Sequence, residues 1–264
     1  MKTIAFPESN DPRIVAAAKK IRFAKTLLIK EKPFLEELLK KYPLPEGIDK
    51  NDAMTYACLL LKAGKVDGVI SGADHPTAHT IKHAIFLIGT TTGYASSYFL
   101  MKKGKKKYLF ADCGFNINPN AKELATIALQ TAQTAKTFGI EPVIGMLSFS
   151  TNGSAKGPEV EKVQQATKLV QKKHKQVIGE IQFDAALIPA IGKKKTNNHP
   201  LAGKVTVFVF PTLDAGNIGY KIAERLGGFK AIGPLLQGFK KPVFDLSRGC
   251  SVEDVIEAAK IIIS

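Results

Sequence analysis

Short apolar runs alternate with longer segments of helical periodicity along almost the whole 264-residue chain. Apolar runs of four to eight residues bounded by turn formers read as strands, and apolar positions recurring every three or four residues read as helices. Thr3 to Phe6 is a short strand, after which Asp11-Pro12 opens a helix, Asp as N-cap and Pro in the first turn. Thr26 to Ile29 reads as a strand, Phe34 to Lys40 and Ala53 to Lys62 as helices, and Val66 to Ile70 as a strand with a helix from Pro76. Tyr94 to Met101 and Lys107 to Ala111 form a strand pair joined by a lysine-rich turn, which keeps edge strands apart. Beyond it the pattern gives helix Lys122 to Phe138, strand Val143 to Phe149, helix Pro158 to Lys173 and strand Val205 to Phe210. Helix Ala215 to Leu226, strand Pro242 to Phe244 and helix Ser251 to Ile262 complete the chain.

This alternation predicts an α/β protein with mostly parallel sheets and helices on both faces. Ligands in such sheets gather at the carboxyl ends of strands, so the residues that follow each strand are the first candidates for function. There is no repeat of solenoid length. The polar stretch Gly192 to Gly203 is the segment expected to be flexible.

Composition adds three constraints. No apolar run approaches membrane-spanning length, and MKTIAFPESN lacks an apolar signal core, so a soluble cytoplasmic protein is expected. Cys58, Cys113 and Cys250 are three scattered cysteines, which indicates neither a disulfide framework nor a zinc motif. The formal charge of +15 attracts polyanions. Aromatic residues do not interleave with the lysines as in a nucleic-acid groove, and solvated lysine faces account for the charge equally well.

Three segments after strands carry functional residue types. Ser71-Gly72-Ala73-Asp74-His75-Pro76-Thr77 opens a helix, where small residues let an anion approach backbone N–H groups. Ser148 to Gly157 offers hydroxyls, glycines and Lys156 to a phosphate in the same way, although neither loop is a Walker A motif. In the third, Asp245-Leu246-Ser247-Arg248-Gly249-Cys250 precedes a helix that Ser251 caps, with Asp254 at the third position of a capping box. Arg248 and Asp254 would there supply one group that binds charge and one that accepts a proton.

Taken together, these blocks resemble the phosphate acetyltransferase family. The matching segments are Ser71-Gly72-Ala73-x-His75-x-Thr77-Ala78, Phe110-Ala111-Asp112-Cys113, and Met146 to Thr151 with Gly153 to Lys156. Phe183 to Ala186, Pro211 to Lys221, Gly233 to Gly238 and Asp245 to Cys250 follow in the family's order. The resemblance implies two three-layer α/β/α domains with a cleft between them. The first domain is discontinuous, 1–92 plus 235–264, and the second is 93–234. It implies a homodimer that moves an acetyl group between coenzyme A and inorganic phosphate, with coenzyme A as substrate and neither cofactor nor metal. Membrane and nucleic acid are not expected partners. By position, Asp254 resembles the base that takes the thiol proton, Arg248 the group that holds phosphate, and Ser247 the donor to developing charge. Ser71, Gly72, His75, Thr77, Lys82, Ser150, Thr151, Gly153, Ser154, Asn217 and Tyr220 are the implied substrate-binding positions. A phosphate butyryltransferase, or a non-catalytic relative that binds coenzyme A or nucleic acid, fits the same blocks.

The chain departs from the family at one place in particular. Lys82 stands where relatives carry Arg, His83 where they carry Pro, and His79 where they carry an acidic residue. The N-terminal third is shorter than is typical, and a basic segment that contributes to coenzyme binding has no clear counterpart. His75, His79 and His83, four apart, would share one helix face and could bind zinc or nickel, but no fourth ligand is matched and no metal is expected. Cys250 reads either as a thiol activated beside Arg248 or as a small buried filler.

Overall fold

A computed structural model describes residues 1–263. The chain divides into two compact units, Met1–Ala95 with Ile232–Ser264, and Ser96–Ala231.

The first unit carries the parallel strands β1 (Thr3–Phe6), β2 (Lys25–Leu28), β3 (Gly68–Ser71) and β10 (Val243–Asp245), in the order β10-β3-β1-β2. Its helices are α1 (Pro12–Lys20), α2 (Leu35–Lys41), α3 (Ala53–Lys62), α4 (Thr77–His83) with a π-helical turn Ala84–Ile88, and α10 (Val252–Ile262). Ala5, Val69 and Val243 pack into one cluster with α3 and the π-helical turn. On the opposite face Gly68 lies against Ile262 of α10, so close that an added Cβ would sit 2.9 Å from Ile262 Cδ1. A sheet covered on both faces has no room for alternating polar residues, which is why its strands read as unbroken apolar runs. Asp11 caps α1 as its sequence suggests, accepting from the N–H groups of Arg13 and Ile14.

The second unit contains β4 (Ser96–Lys103), β5 (Lys106–Ala111), α5 (Ala121–Thr137), β6 (Ile144–Leu147) and α6 (Pro158–Gln171). β7 (Val177–Ile181), α7 (Phe183–Leu187), α8 (Pro189–Lys195), β8 (Val207–Val209) and α9 (Leu213–Arg225) follow. The chain passes back to the first unit within β9 (Lys230–Gln237). The sheet order is β7-β6-β8-β5-β4-β9, parallel apart from the β4–β5 hairpin among the described pairings. Phe99, Phe110, Phe208 and Phe210 form an aromatic core on one face with Ala185, Ala186 and Cys113. The α/β class expected from the alternation is the class observed.

The structure differs from the sequence reading in two places. The lysine-rich turn joins β4 and β5, which both lie inside the sheet order, so it guards no edge strand. Its lysines pair across the hairpin end, Lys102 opposite Lys107 and Lys103 opposite Lys106, where both sides reach water. Gly192 to Gly203, expected to be flexible, begins inside α8 and is tied down by packing. Gly192 is buried, and a Cβ there would meet the Ala185 carbonyl at 2.6 Å. Strand periodicity in β7 and β9 is weak, each being interrupted by Gly, and neither was legible.

Candidate active site

At the end of β10 the chain leaves the sheet at Asp245, which is fully buried. Thr77 Oγ1 donates to Asp245 Oδ2 at 2.6 Å, while Asp245 Oδ1, Ser71 Oγ and Thr80 Oγ1 are buried without a hydrogen-bond partner among the described residues. Burial pushes the Asp245 carboxyl up to about 6, against which the Thr77 hydrogen bond acts.

The next residues emerge into solvent: Ser247, Arg248 and Gly249 are exposed. Arg13 shapes this turn from α1. Its guanidinium donates to the carbonyls of Arg248 at 2.6 Å, Cys250 at 3.2 Å and Ala73 at 2.6 Å, and to Asp11 Oδ2 at 2.7 Å. One buttressing cation thus fixes both the Arg248 turn and the Ser71–Thr77 loop. The Arg248 guanidinium itself has no hydrogen-bond or ion-pair partner among the described residues. Asp254 occupies the first turn of α10 in a full capping box: its Oδ2 accepts from Ser251 N at 3.0 Å and Ser251 Oγ at 2.8 Å. Its Oδ1 is left without a partner among the described residues. Cys250 is buried, as the filler reading has it, and burial raises its thiol above the usual range even with Arg13 nearby.

The Ser71–Thr77 loop corrects an expectation. Its N–H groups are not open to an exogenous anion: Glu8, at the end of β1, accepts from Ala73 N at 2.8 Å, Asp74 N at 3.0 Å and His75 N at 2.9 Å. Glu8 Oε1 also lies 2.9 Å from His75 Nδ1. Burial alone would raise the Glu8 carboxyl, but these four contacts outweigh it and hold it below its usual value. Gly72 has a packing reason as well. At φ +93°, its added Cβ would lie 2.3 Å from Asp245 Oδ1 and 2.6 Å from Leu246 N. Glycine there lets two strand ends touch rather than opening a path to a ligand. Lys82, on α4, reaches the Gly47 carbonyl at 2.7 Å.

In the second unit the Ser148–Gly157 loop is closed by the same device. Glu180, on β7, accepts from Ser150 Oγ at 2.9 Å and Gly153 N at 2.7 Å. Thr151 N donates to Ser154 Oγ at 3.0 Å, Ala155 N to Ser150 Oγ at 3.1 Å, and Thr151 Oγ1 accepts from Gln182 N at 2.9 Å. The cradle of amides expected for a phosphate is therefore satisfied within the protein. On α9, Asn217 Nδ2 donates to the Cys113 carbonyl at 3.1 Å, and the Tyr220 ring stacks on Phe99 at 3.9 Å. Asp112 anchors the preceding turn through Ser97, Gly114, Phe115 and Asn116. Glu8, Arg13 and Glu180 were not singled out from sequence, because each acts on residues far along the chain, and Asp112 was marked only as part of a matching block.

A sequence profile of the family described as phosphate acetyl/butaryl transferase matches residues 46–263. The chain belongs to that family. The phosphate acetyltransferase of Bacillus subtilis strain 168 is 50% identical over 214 residues, 80% of this chain. The match spans just under two thirds, 66%, of that relative's own length. The solved phosphotransacetylase from Streptococcus pyogenes superposes with a TM-score of 0.89 at 40% identity, covering 99% of this chain and 92% of its own. A phosphotransacetylase from Staphylococcus aureus gives 0.86 at 38% identity, covering 99% and 93%. The profile match takes in all the blocks from Ser71 onward and leaves Glu8 and Arg13, which brace them, outside it. Among the described residues no helix is long and apolar enough to cross a membrane.

Proposed function

We propose that this chain is a phosphate acetyltransferase, acting in the cytoplasm as a homodimer: acetyl-coenzyme A and phosphate are exchanged for acetyl phosphate and coenzyme A, reversibly. The observation that carries this reading is the 50% identity to a phosphate acetyltransferase across 80% of the chain. The geometry of the Asp245–Asp254 segment is consistent with it.

In the proposed direction of acetyl-coenzyme A synthesis, the coenzyme A sulfur attacks the carbonyl carbon of acetyl phosphate. The C–S bond forms, the C–O bond to phosphorus breaks, and phosphate leaves with that oxygen. A thiol near pKa 8.5 is mostly protonated at neutral pH, so a base must take its proton. Asp254 is assigned that task through Oδ1, the oxygen that the capping box leaves free. The proton then passes to the departing phosphate. Arg248 is assigned to the phosphate, its guanidinium unpaired and its backbone held by Arg13. The exposed Ser247 hydroxyl is assigned as donor to the charge that develops on the acyl oxygen. His75, Lys82, Gly153 and Ser154 are exposed and are assigned to substrate contact. Ser71, Gly72, Thr77, Ser150, Thr151, Asn217 and Tyr220 are assigned to shaping the surfaces on which substrate rests.

The test is acetyl-coenzyme A formation from acetyl phosphate and coenzyme A by purified protein, with propionyl and butyryl phosphate as parallel substrates. Asp254→Asn keeps an acceptor for the Ser251 cap and is expected to lower kcat at least about 100-fold with the fold intact. Turnover by that variant at the parent rate would remove the base assignment. Absence of turnover by the parent with every acyl phosphate would remove the enzyme reading.

A further inference from the structure

To His79 and His83 the structure adds a third group that sequence spacing did not offer. Asp52 is the N-cap of α3. Its Oδ1 accepts from Met54 N at 2.7 Å, and its Oδ2 is turned toward α4. His79 and His83, one turn apart on α4, stand with ring centroids 4.4 Å apart. His79 Nε2 lies 2.6 Å from Asp52 Oδ2, and His83 Nε2 lies 3.5 Å from the same oxygen.

The hydrogen count at His83 is decisive. Its Nδ1 sits 2.8 Å from the His79 carbonyl, which only accepts, so Nδ1 carries the hydrogen of the neutral ring. Nε2 then presents a lone pair to a carboxylate oxygen. That side chain is 5% exposed, and among the described residues Nε2 is buried without a hydrogen-bond partner, as is His79 Nδ1. Two facing lone pairs need a positive charge between them, either a second proton or a cation. Leaving a buried nitrogen unsatisfied costs its full desolvation.

We propose that Asp52, His79 and His83 bind one borderline divalent cation of the zinc or nickel class. Two imidazoles and a carboxylate suit such ions. The three ligand atoms lie within 4.8 Å of one another. Metal–ligand bonds of about 2.0–2.2 Å at tetrahedral or octahedral angles separate ligand atoms by about 3.0–3.4 Å. The two carboxylate–imidazole separations, 2.6 and 3.5 Å, lie on either side of that range. Asp52 and His79 side chains are each 23% exposed, which gives the ion a route from solvent and leaves a coordination position for water. His75 is not a ligand: Glu8 takes both its backbone N–H and its Nδ1. The ion ties the start of α3 to α4, the helix that also carries Thr77 and Lys82.

The experiment uses the full chain stripped with a chelator and titrated with zinc chloride against a chromophoric competitor, with cobalt(II) absorption in parallel. One equivalent is expected to bind and to raise the melting temperature, whereas magnesium does not. Asp52→Asn preserves the helix cap while removing the charge, and should weaken binding at least about 10-fold. His79→Ala and His83→Ala should weaken it at least as much, and His75→Ala and His174→Ala less than about twofold. Should a histidine variant fail to fold, Asp52→Asn and the cobalt spectrum of the parent decide. Nitrogen and oxygen ligation without a thiolate charge-transfer band is expected. Failure to bind one equivalent, a thiolate band, or unchanged affinity in Asp52→Asn overturns the site.

Discussion

The two loops that follow β3 and β6 were equivalent candidates for anion binding, and both are closed by a glutamate from a neighbouring strand end. Their construction differs. Glu8 takes three consecutive N–H groups and a histidine ring, so the Ser71–Thr77 loop has almost no order of its own. The Glu180 carboxylate takes one N–H of the loop, one hydroxyl and the Gln164 side chain, and the Ser148–Gly157 loop is also fastened to itself through Ser150, Thr151 and Ser154 and to Gln182 through Thr151. Their glycines differ in the same sense. Gly72 is wedged against Asp245 and Leu246, whereas a Cβ at Gly153 would meet nothing within 4 Å. The first loop is a tertiary construction, and the second combines tertiary bonds with bonds of its own.

The largest effect that would expose this difference is expected of Gly72→Ala. A Cβ 2.6 Å from both the N and the O of Leu246 forces backbone apart at a left-handed φ, and the cost should be about 4 kcal/mol by urea denaturation. A loss under about 1 kcal/mol would show that the β3 and β10 ends are not rigidly apposed.

Next comes Glu8→Ala, which strands three N–H groups and should cost about 3 kcal/mol, against about half that for Glu180→Ala. Equal losses would dissolve the contrast between the two loops.

Asp245 gives the comparison a pH axis. Its folded value is raised from 3.8 to about 6, so the folded state holds a proton that the unfolded chain releases. Its contribution is favourable below 3.8 and is lost as pH rises to about 6, by about 2–3 kcal/mol. Glu8 is shifted the other way: its contribution is present above its unfolded 4.5 and is lost as pH falls through its lower folded value. The difference in unfolding free energy between parent and Asp245→Asn, followed from pH 4 to 7, should therefore move against the parent. A difference that stays flat would show that Asp245 is ordinary.

The smallest effect is expected of Gly153→Ala. It meets only the left-handed conformational cost of roughly 1–2 kcal/mol, because φ is +79° in open space. A loss as large as that of Gly72→Ala would mean that the second loop is as constrained as the first.

The sequence by itself determined the α/β class, the places of most elements and the caps. Asp11-Pro12 and Ser251 with Asp254 are short-range patterns whose hydrogen bonds close within one turn. Buried parallel strands are legible for a related reason, since a surface covered on both sides admits only apolar residues. The ends of those strands marked where the candidate residues would be, and the order of blocks carried the family. Only the tertiary structure decided which groups are free. Glu8 meets residues 65 to 67 positions away, and Arg13 meets Arg248 at a separation of 235. Asp52 meets His79 across 27 residues. No periodicity encodes such pairings, because what selects them is the desolvation of a charge that must find partners wherever the fold brings them. That is why two loops that looked open to phosphate are closed by carboxylates, and why a pair of histidines acquired a third ligand.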